Sequence, residues 1–372
     1  RRVLFCALFR KRDGAEYPQA YRRIFAPLKT IRTMRSFASD NNSGVHPEVM
    51  AAIIEANRDH AAGYGDDRWT ERAAECVRQV FGEEARPFFL FNGTGANSVA
   101  LQAVTRSFHS ILCAATAHIY VDECNAPARM TGCQLIAVAT PDGKLTPDLL
   151  RPHLQHFGDC HHAQPGAVYI SQATELGTLY TVEEVRAIAS LVHAHGMKLH
   201  MDGARLANAC AALGCTMREV TVDAGVDILS LGGTKNGMMM GEAVVAFREE
   251  VAADIKYYRK QSAQLASKMR YLSAQFIPYL DGLWLRNAQH ANRQARRLAA
   301  ALARFPQLRL TQPVETNQLF IAMPRTVIAR LSERYFFYVW NEAADEVRFV
   351  TSWDTTDEDI DALVDALAEI ME

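Results

Sequence analysis

Pro87-Phe88-Phe89-Leu90-Phe91 runs without interruption into Asn92-Gly93-Thr94-Gly95-Ala96-Asn97, and an apolar-periodic stretch over 98–108 follows. Aromatic and aliphatic residues, then small ones, then helical spacing predict a strand, a glycine turn and a helix. Such a turn leaves backbone N–H groups at a helix start, where the helix dipole also favours an anion. A dinucleotide fingerprint would need a third glycine and an acid about 20 residues on, and a P-loop would need Lys after the last glycine. Ser98, the stretch 113–117 and Ala96 supply none of these. A single phosphate is the favoured ligand, the alternative being a plain tight turn with glycine at positive φ.

Outward from this unit, short aliphatic runs at 110–113, 134–139, 166–171, 197–201, 227–231 and 243–247 alternate with helical patterns at 47–59, 68–81, 182–194 and 205–213. That alternation is the mark of an α/β protein with a largely parallel sheet. Beyond residue 260 the pattern changes to long helices at 261–279 and 283–305, strands near 317–322, 335–340 and 346–351, and a last helix at 357–370. We expect a large domain over 35–280 and a smaller C-terminal α+β domain over 281–372.

Composition agrees with a globular chain. The 372 residues carry 40 Lys plus Arg against 42 Asp plus Glu, and 49% are apolar, which excludes disorder and fibre. The longest apolar run, 3–9, is far short of the roughly 20 residues of a spanning helix, so no membrane role is expected. Residues 1–35 hold ten bases against two acids, leaving 30 bases and 40 acids for the remainder. We expect 1–34 to be an extension outside the fold, with no nucleic-acid role, because basic residues alone are a non-specific signal. Eight cysteines without a CxxC pair suit a reducing compartment, and we expect the cytoplasm.

Ligands of open α/β sheets sit beyond the carboxyl ends of the strands. Asp202 ends one strand run and Lys235 follows another in Gly232-Gly233-Thr234-Lys235, so the two can stand on neighbouring strand ends. A buried lysine loses its proton readily and can condense with a carbonyl. A carboxylate for a pyridine nitrogen, a condensing lysine and a helix start for one phosphate are the requirements of a pyridoxal phosphate site. Taken singly, Asp202 reads equally as a helix cap and Lys235 as a surface cation. His118 would stack on such a ring and act as a base, although a lone histidine is more often structural. Arg205 and Arg348 suit an amino acid carboxylate. His153, His156, Cys160, His161 and His162 have metal-site composition, but their spacing matches no standard motif, so no metal is expected.

Phe37-Ala38-Ser39-Asp40-Asn41, Tyr64-Gly65-Asp66-Asp67, Phe91-Asn92-Gly93-Thr94, Ala117-His118, Asp202-Gly203-Ala204-Arg205, Gly232-Gly233-Thr234-Lys235-Asn236-Gly237 and Thr351-Ser352-Trp353-Asp354 resemble the threonine aldolases of the β-eliminating lyase group. The nearest branch is the low-specificity L-threonine aldolases of bacteria. The resemblance implies the aspartate aminotransferase-like fold, type I among pyridoxal phosphate enzymes. It implies retro-aldol cleavage of L-threonine or L-allo-threonine to glycine and an aldehyde, with a phenylserine aldolase or another β-hydroxy amino acid lyase as the alternative. Lys235 would form the Schiff base, Asp202 would face the pyridinium nitrogen, His118 would stack, and Gly93 and Thr94 would hold the phosphate. Arg205, Arg348 and Ser39 would grip the substrate carboxylate, and Tyr64 would line the pocket. Lys260 or Lys268 would reach the phosphate of a neighbouring subunit in a homodimer or homotetramer. Where many members carry Asn-Thr-His, this chain has Thr174-Glu175, so His118, Glu175 or a water between them would take the hydroxyl proton.

Overall fold

The computed structural model describes residues 35–372, and the expected extension over 1–34 lies outside the described residues. A 7-stranded sheet is built from β1 (Arg86–Leu90), β2 (His109–Ala114), β3 (Gln134–Val138), β4 (Gln164–Ser171), β5 (Lys198–Gly203), β6 (Ile228–Gly232) and β7 (Glu242–Ala246) in the order β1-β7-β6-β5-β4-β2-β3. The pairs β6 to β5, β5 to β4, β4 to β2 and β2 to β3 are parallel, whereas β7 runs antiparallel to both neighbours. The central strands are buried almost throughout, as expected of a sheet with helices on both faces.

Helices α1 (Pro47–Ala56) and α2 (Arg68–Phe81) precede the sheet, and α3 (Gly93–Val104), α4 (Val182–Ala194) and α5 (Leu206–Leu213) lie in the connections between its strands. Their ends follow from local chemistry. Asp67 caps α2 by accepting from the backbone N–H groups of Trp69 and Thr70, and Thr181 with Glu184 forms a capping box at α4, which satisfies donors that a helix start leaves open. Val185, Ile188, Ala189 and Val192 then form the buried stripe of α4. On the opposite face, Ala96, Val99 and Ala100 of α3 pack with Ile228, Val244 and Ala246.

α3 begins five residues before the expected helix start at Ser98. Asn92 accepts from the Gly95 N–H through its side chain and so starts the helix at the glycines themselves. The expected helix over 261–279 is also broken. After α6 (Ile255–Gln261), Ala263 takes φ 57°, and helix resumes only at Arg270–Ser273 and Phe276–Pro278. Asp281 and Gly282 then leave helical geometry before α7 (Trp284–Leu302).

A second sheet of 4 strands contains β8 (Arg309–Leu310), β9 (Gln318–Ala322), β10 (Tyr338–Asn341) and β11 (Glu346–Val350), all antiparallel in the order β10-β11-β9-β8. With α7, α8 (Arg325–Ser332) and α9 (Asp357–Met371) it encloses its own core of Leu298, Leu319, Leu331, Phe349, Leu363 and Leu367. Phe37 belongs to this core and bonds through its backbone to Phe336 and Val350, so the chain enters along the smaller sheet before it forms the larger one. Among the described residues no helix is long and apolar enough to cross a membrane.

Gly232, at the end of β6, shows how tightly the strand ends approach. A Cβ there would lie 2.7 Å from the Cα of Ala204, a backbone atom that cannot swing aside. We predict that Gly232→Ala lowers stability by about 1–3 kcal/mol, read as a lower denaturant midpoint with an unchanged slope.

Candidate active site

Parallel register sets the floor of the site. Ser171 of β4 stands opposite Asp202 of β5, and Asp202 opposite Ser230 of β6, so one face at the carboxyl edge carries a polar row. Two residues back along β4, on the same face, the Tyr169 hydroxyl donates to Asp202 Oδ2 at 2.6 Å. Asn97, one helical turn into α3, donates to the same oxygen at 2.8 Å, and the Ala204 N–H donates to Oδ1 at 2.8 Å. Burial alone would raise the Asp202 carboxyl. The hydrogen bonds from Tyr169 and Asn97, with Lys235 and His118 nearby, instead hold it below the usual carboxylate range.

A cavity of about 390 Å³ opens above this row, lined by residues that include Asn92, Gly93, Thr94, His118, Asp202, Ser230, Lys235 and Glu242. It thus joins the predicted lysine, aspartate, histidine and anion turn. Lys235 lies in the short turn after β6. Desolvation first, and the Arg205 cation second, push its amine below the ordinary lysine value, against the pull of Asp40, Asp202 and Glu242.

His118 is fixed from below. Its Nδ1 lies 2.7 Å from Oε1 of Glu123, a buried carboxylate whose same oxygen accepts from Asn97 at 2.8 Å. Asn97 therefore bridges the acid under His118 and Asp202. The Glu123 hydrogen bond raises the His118 pKa against desolvation, and Asp202 adds to the rise. Glu175 accepts from the His118 backbone N–H at 2.8 Å and from the Ser171 hydroxyl at 2.6 Å, and desolvation raises its carboxyl despite both bonds.

At the basic end, Arg205 Nε and Nη2 both donate to Asp40, each at 2.8 Å, and Asn317 donates to the same carboxylate at 3.1 Å. Arg205, expected at a substrate carboxylate, holds Asp40 through Nε and Nη2. The Ser39 hydroxyl also faces Asp40, at 3.4 Å. Arg348 stacks on Trp340 at 4.7 Å and donates to the Ala38 carbonyl. Its buried Nε has no hydrogen-bond partner, and burial with the neighbouring Arg205 pushes its pKa down to about 10. An anion would relieve both conditions.

Other expected residues are not brought together with these. Tyr64 is 54% exposed and is not among the residues that line the cavity in this single chain. Lys260 lies over the Tyr64 ring at 5.2 Å, and Lys268 lines a separate surface hollow with Gly63 and Arg270. Of the histidine-rich loop, His156, Asp159 and His162 approach within 4.8 Å, and Gln164 pins the loop by donating to the carbonyls of His156, Asp159 and His162.

Glu123, Asn97, Tyr169, Asp40 and Glu242 were not singled out by sequence reasoning. Asn97 and Asp40 sit inside quoted motifs, and Glu123 lies a little over one turn from His118. The other two are ordinary strand residues until the sheet is assembled.

A buried lysine and an ionised carboxylate lining one cavity at the carboxyl edge of a mostly parallel sheet accompany the aspartate aminotransferase-like fold. Aspartate aminotransferase from Thermus thermophilus superposes with a TM-score of 0.67 at 16% identity, over 91% of each chain. Residues 36–325 match the beta-eliminating lyase family, and the chain belongs to it. It is 47% identical over 323 residues to the low specificity L-threonine aldolase of Pseudomonas aeruginosa, covering 86% of this chain and 93% of that one. The solved threonine aldolase of Leishmania major superposes with a TM-score of 0.86 at 29% identity, over 91% of this chain and all of that one.

Replacing the acid beneath His118 tests the network. In Glu123→Gln the charged acceptor is lost, so the His118 pKa falls from above to below the ordinary histidine value of about 6.5. NMR titration of the ring protons reads the shift. The pairing stabilises the fold at low pH and fades as pH rises through the elevated pKa, so the variant loses stability most below pH ~6.

Proposed function

We propose that the chain binds pyridoxal 5'-phosphate through Lys235 and cleaves L-threonine, L-allo-threonine and related β-hydroxy-α-amino acids to glycine and an aldehyde. The observation that carries this reading is one cavity lined by Lys235, Asp202, His118 and the start of α3. The residues fit the cofactor. A Cβ on Gly93 would meet nothing within 4 Å, so the helix start faces open space. The Asn92 side chain takes the Gly95 N–H, leaving Gly93 and Thr94 N–H groups for a phosphate. The names of the aldolases from Pseudomonas aeruginosa and Leishmania major support the reaction.

When bound, the cofactor supplies a pyridinium system that accepts the electron pair of the breaking Cα to Cβ bond. Lys235, its amine pushed below the ordinary lysine value by burial, would hold the aldehyde carbon, and the ionised Asp202 would keep the ring nitrogen protonated. Arg348 would bind the substrate carboxylate and so fix which bond at Cα is aligned for cleavage. Arg205, braced by Asp40, would border the ring and the carboxylate, beside Ser39. With Nδ1 tied to Glu123, His118 has Nε2 left to take the β-hydroxyl proton, directly or through water. Glu175, raised by burial, can exchange a proton at the same position. The hydroxyl proton leaves, the bond breaks to release the aldehyde, and a proton returned to Cα completes glycine.

Lys260 and Lys268 stand outside their own chain's cavity, which supports a role toward a neighbouring subunit of a homodimer or homotetramer. The cysteines of the described residues are unpaired, which supports a reducing compartment such as the cytoplasm.

Lys235→Ala is expected to lose the cofactor's visible absorbance and its turnover of L-threonine together, and a coloured, active variant overturns the reading. Arg348→Leu is expected to raise the KM for L-threonine about 10–100-fold, the loss of one charged hydrogen-bonding partner, with cofactor retention unchanged. Glycine release from threonine, allo-threonine and phenylserine ranks the substrates.

A further inference from the structure

Glu242 is a carboxyl that the retro-aldol scheme leaves without a task. It opens β7, where it pairs with Leu90 at the end of β1 and with Gly232 at the end of β6. That register sets it beside the cavity wall formed by Asn92, Gly93 and Thr94, and it lines the same cavity as Lys235 while only 8% exposed. The Thr234 hydroxyl donates to its Oε1 at 2.9 Å, and the Gly241 N–H donates to the Thr234 hydroxyl oxygen at 3.1 Å. The carboxyl is thus held in place by the residue just before the lysine.

The charged groups around it are few. Lys235 lies across the turn, Asp202 on β5 beyond β6, and the Tyr279 phenol behind Gly232, whose carbonyl accepts its hydrogen bond. Asp202 stays ionised and Tyr279 stays neutral, for burial pushes its phenol far up. Lys235 is a cation that draws this carboxyl down, and condensation with an aldehyde would engage that amine. A phosphate on the start of α3 would then share the cavity with this acid, and two like charges in a desolvated cleft cannot both be carried without cost.

We propose that Glu242 is a proton-bearing member of the phosphate cradle, neutral when the phosphate is seated, so that cofactor binding takes up a proton at this carboxyl. This rests on the cofactor reading above. Burial, opposed by the Thr234 bond and by Lys235, pushes the carboxyl up to about 7, within reach of ordinary working pH. Below that value the neutral acid can donate to a phosphate oxygen, and above it the carboxylate repels the dianion. Affinity for the phosphorylated cofactor therefore weakens as pH rises, by at most about tenfold per pH unit for one linked proton.

The test dialyses holoenzyme to equilibrium against graded pyridoxal phosphate between pH 6.5 and 8.5, with pyridoxal, which lacks the phosphate, in parallel. Wild type should lose affinity for pyridoxal phosphate more steeply with pH than Glu242→Gln, and the two proteins should respond alike to pyridoxal. Equal slopes with pyridoxal phosphate overturn the proposal, and so does a Glu242-dependent slope with pyridoxal, which would assign the carboxyl to Lys235 or the ring. Should the variant fail to fold, calorimetry of wild type at pH 8 in buffers of different ionisation enthalpy decides. More protons taken up with pyridoxal phosphate than with pyridoxal supports the proposal, and equal uptake overturns it. Failure of wild type to retain either compound would defeat the cofactor reading itself, an outcome distinct from these.

Discussion

The Asp202 carboxylate must remain charged in a place where water no longer solvates it, and most of the site is organised around that demand. Three donors converge on it, from Tyr169 on the adjacent strand, Asn97 on α3 and the Ala204 backbone. Each comes from a different element, so it takes β4, β5 and α3 together to offset the desolvation of this buried carboxylate. Removing any donor would leave a buried charge short of a partner, which costs more than the net value of the bond lost.

Charge is then distributed along the cleft. Asn97 links Asp202 to Glu123, and Glu123 supports His118, which makes the ring's orientation and proton affinity depend on the same helix that presents the anion turn. At the far end Asp40 braces Arg205, and Arg348 stays beside it without an ion pair among the described residues. Of these two neighbouring guanidinium groups, one is paired with a carboxylate and the other keeps a buried Nε without a hydrogen-bond partner. Between the ends, desolvation and Arg205 push the Lys235 amine below the ordinary lysine value.

Much of this frame was readable in advance because buried parallel strands are uninterrupted aliphatic runs. β2, β3, β6 and β7 fall within a residue of the expected ranges, and α2 and α4 coincide with them. Departures have local causes. α3 starts at Gly93 because the Asn92 side chain begins the cap there. The stretch after α6 leaves the helix because Gln264 reaches across to accept from the Phe91 N–H and packs against Gly95, where a Cβ would meet its amide at 2.3 Å. β8 was missed, being two exposed residues without a pattern.

The sequence by itself determined the alternation of strands and helices, the glycine turn after the first strand, and the positions of Lys235 and Asp202 at strand ends, since periodicity and turn chemistry are local properties. Only the tertiary structure decided that Arg205 pairs with Asp40 and that Glu123, Asn97, Tyr169 and Glu242 stand with Asp202, His118 and Lys235. Those facts depend on register between strands distant in sequence and on which buried charges end up facing one another, and neither is encoded in any short run of residues.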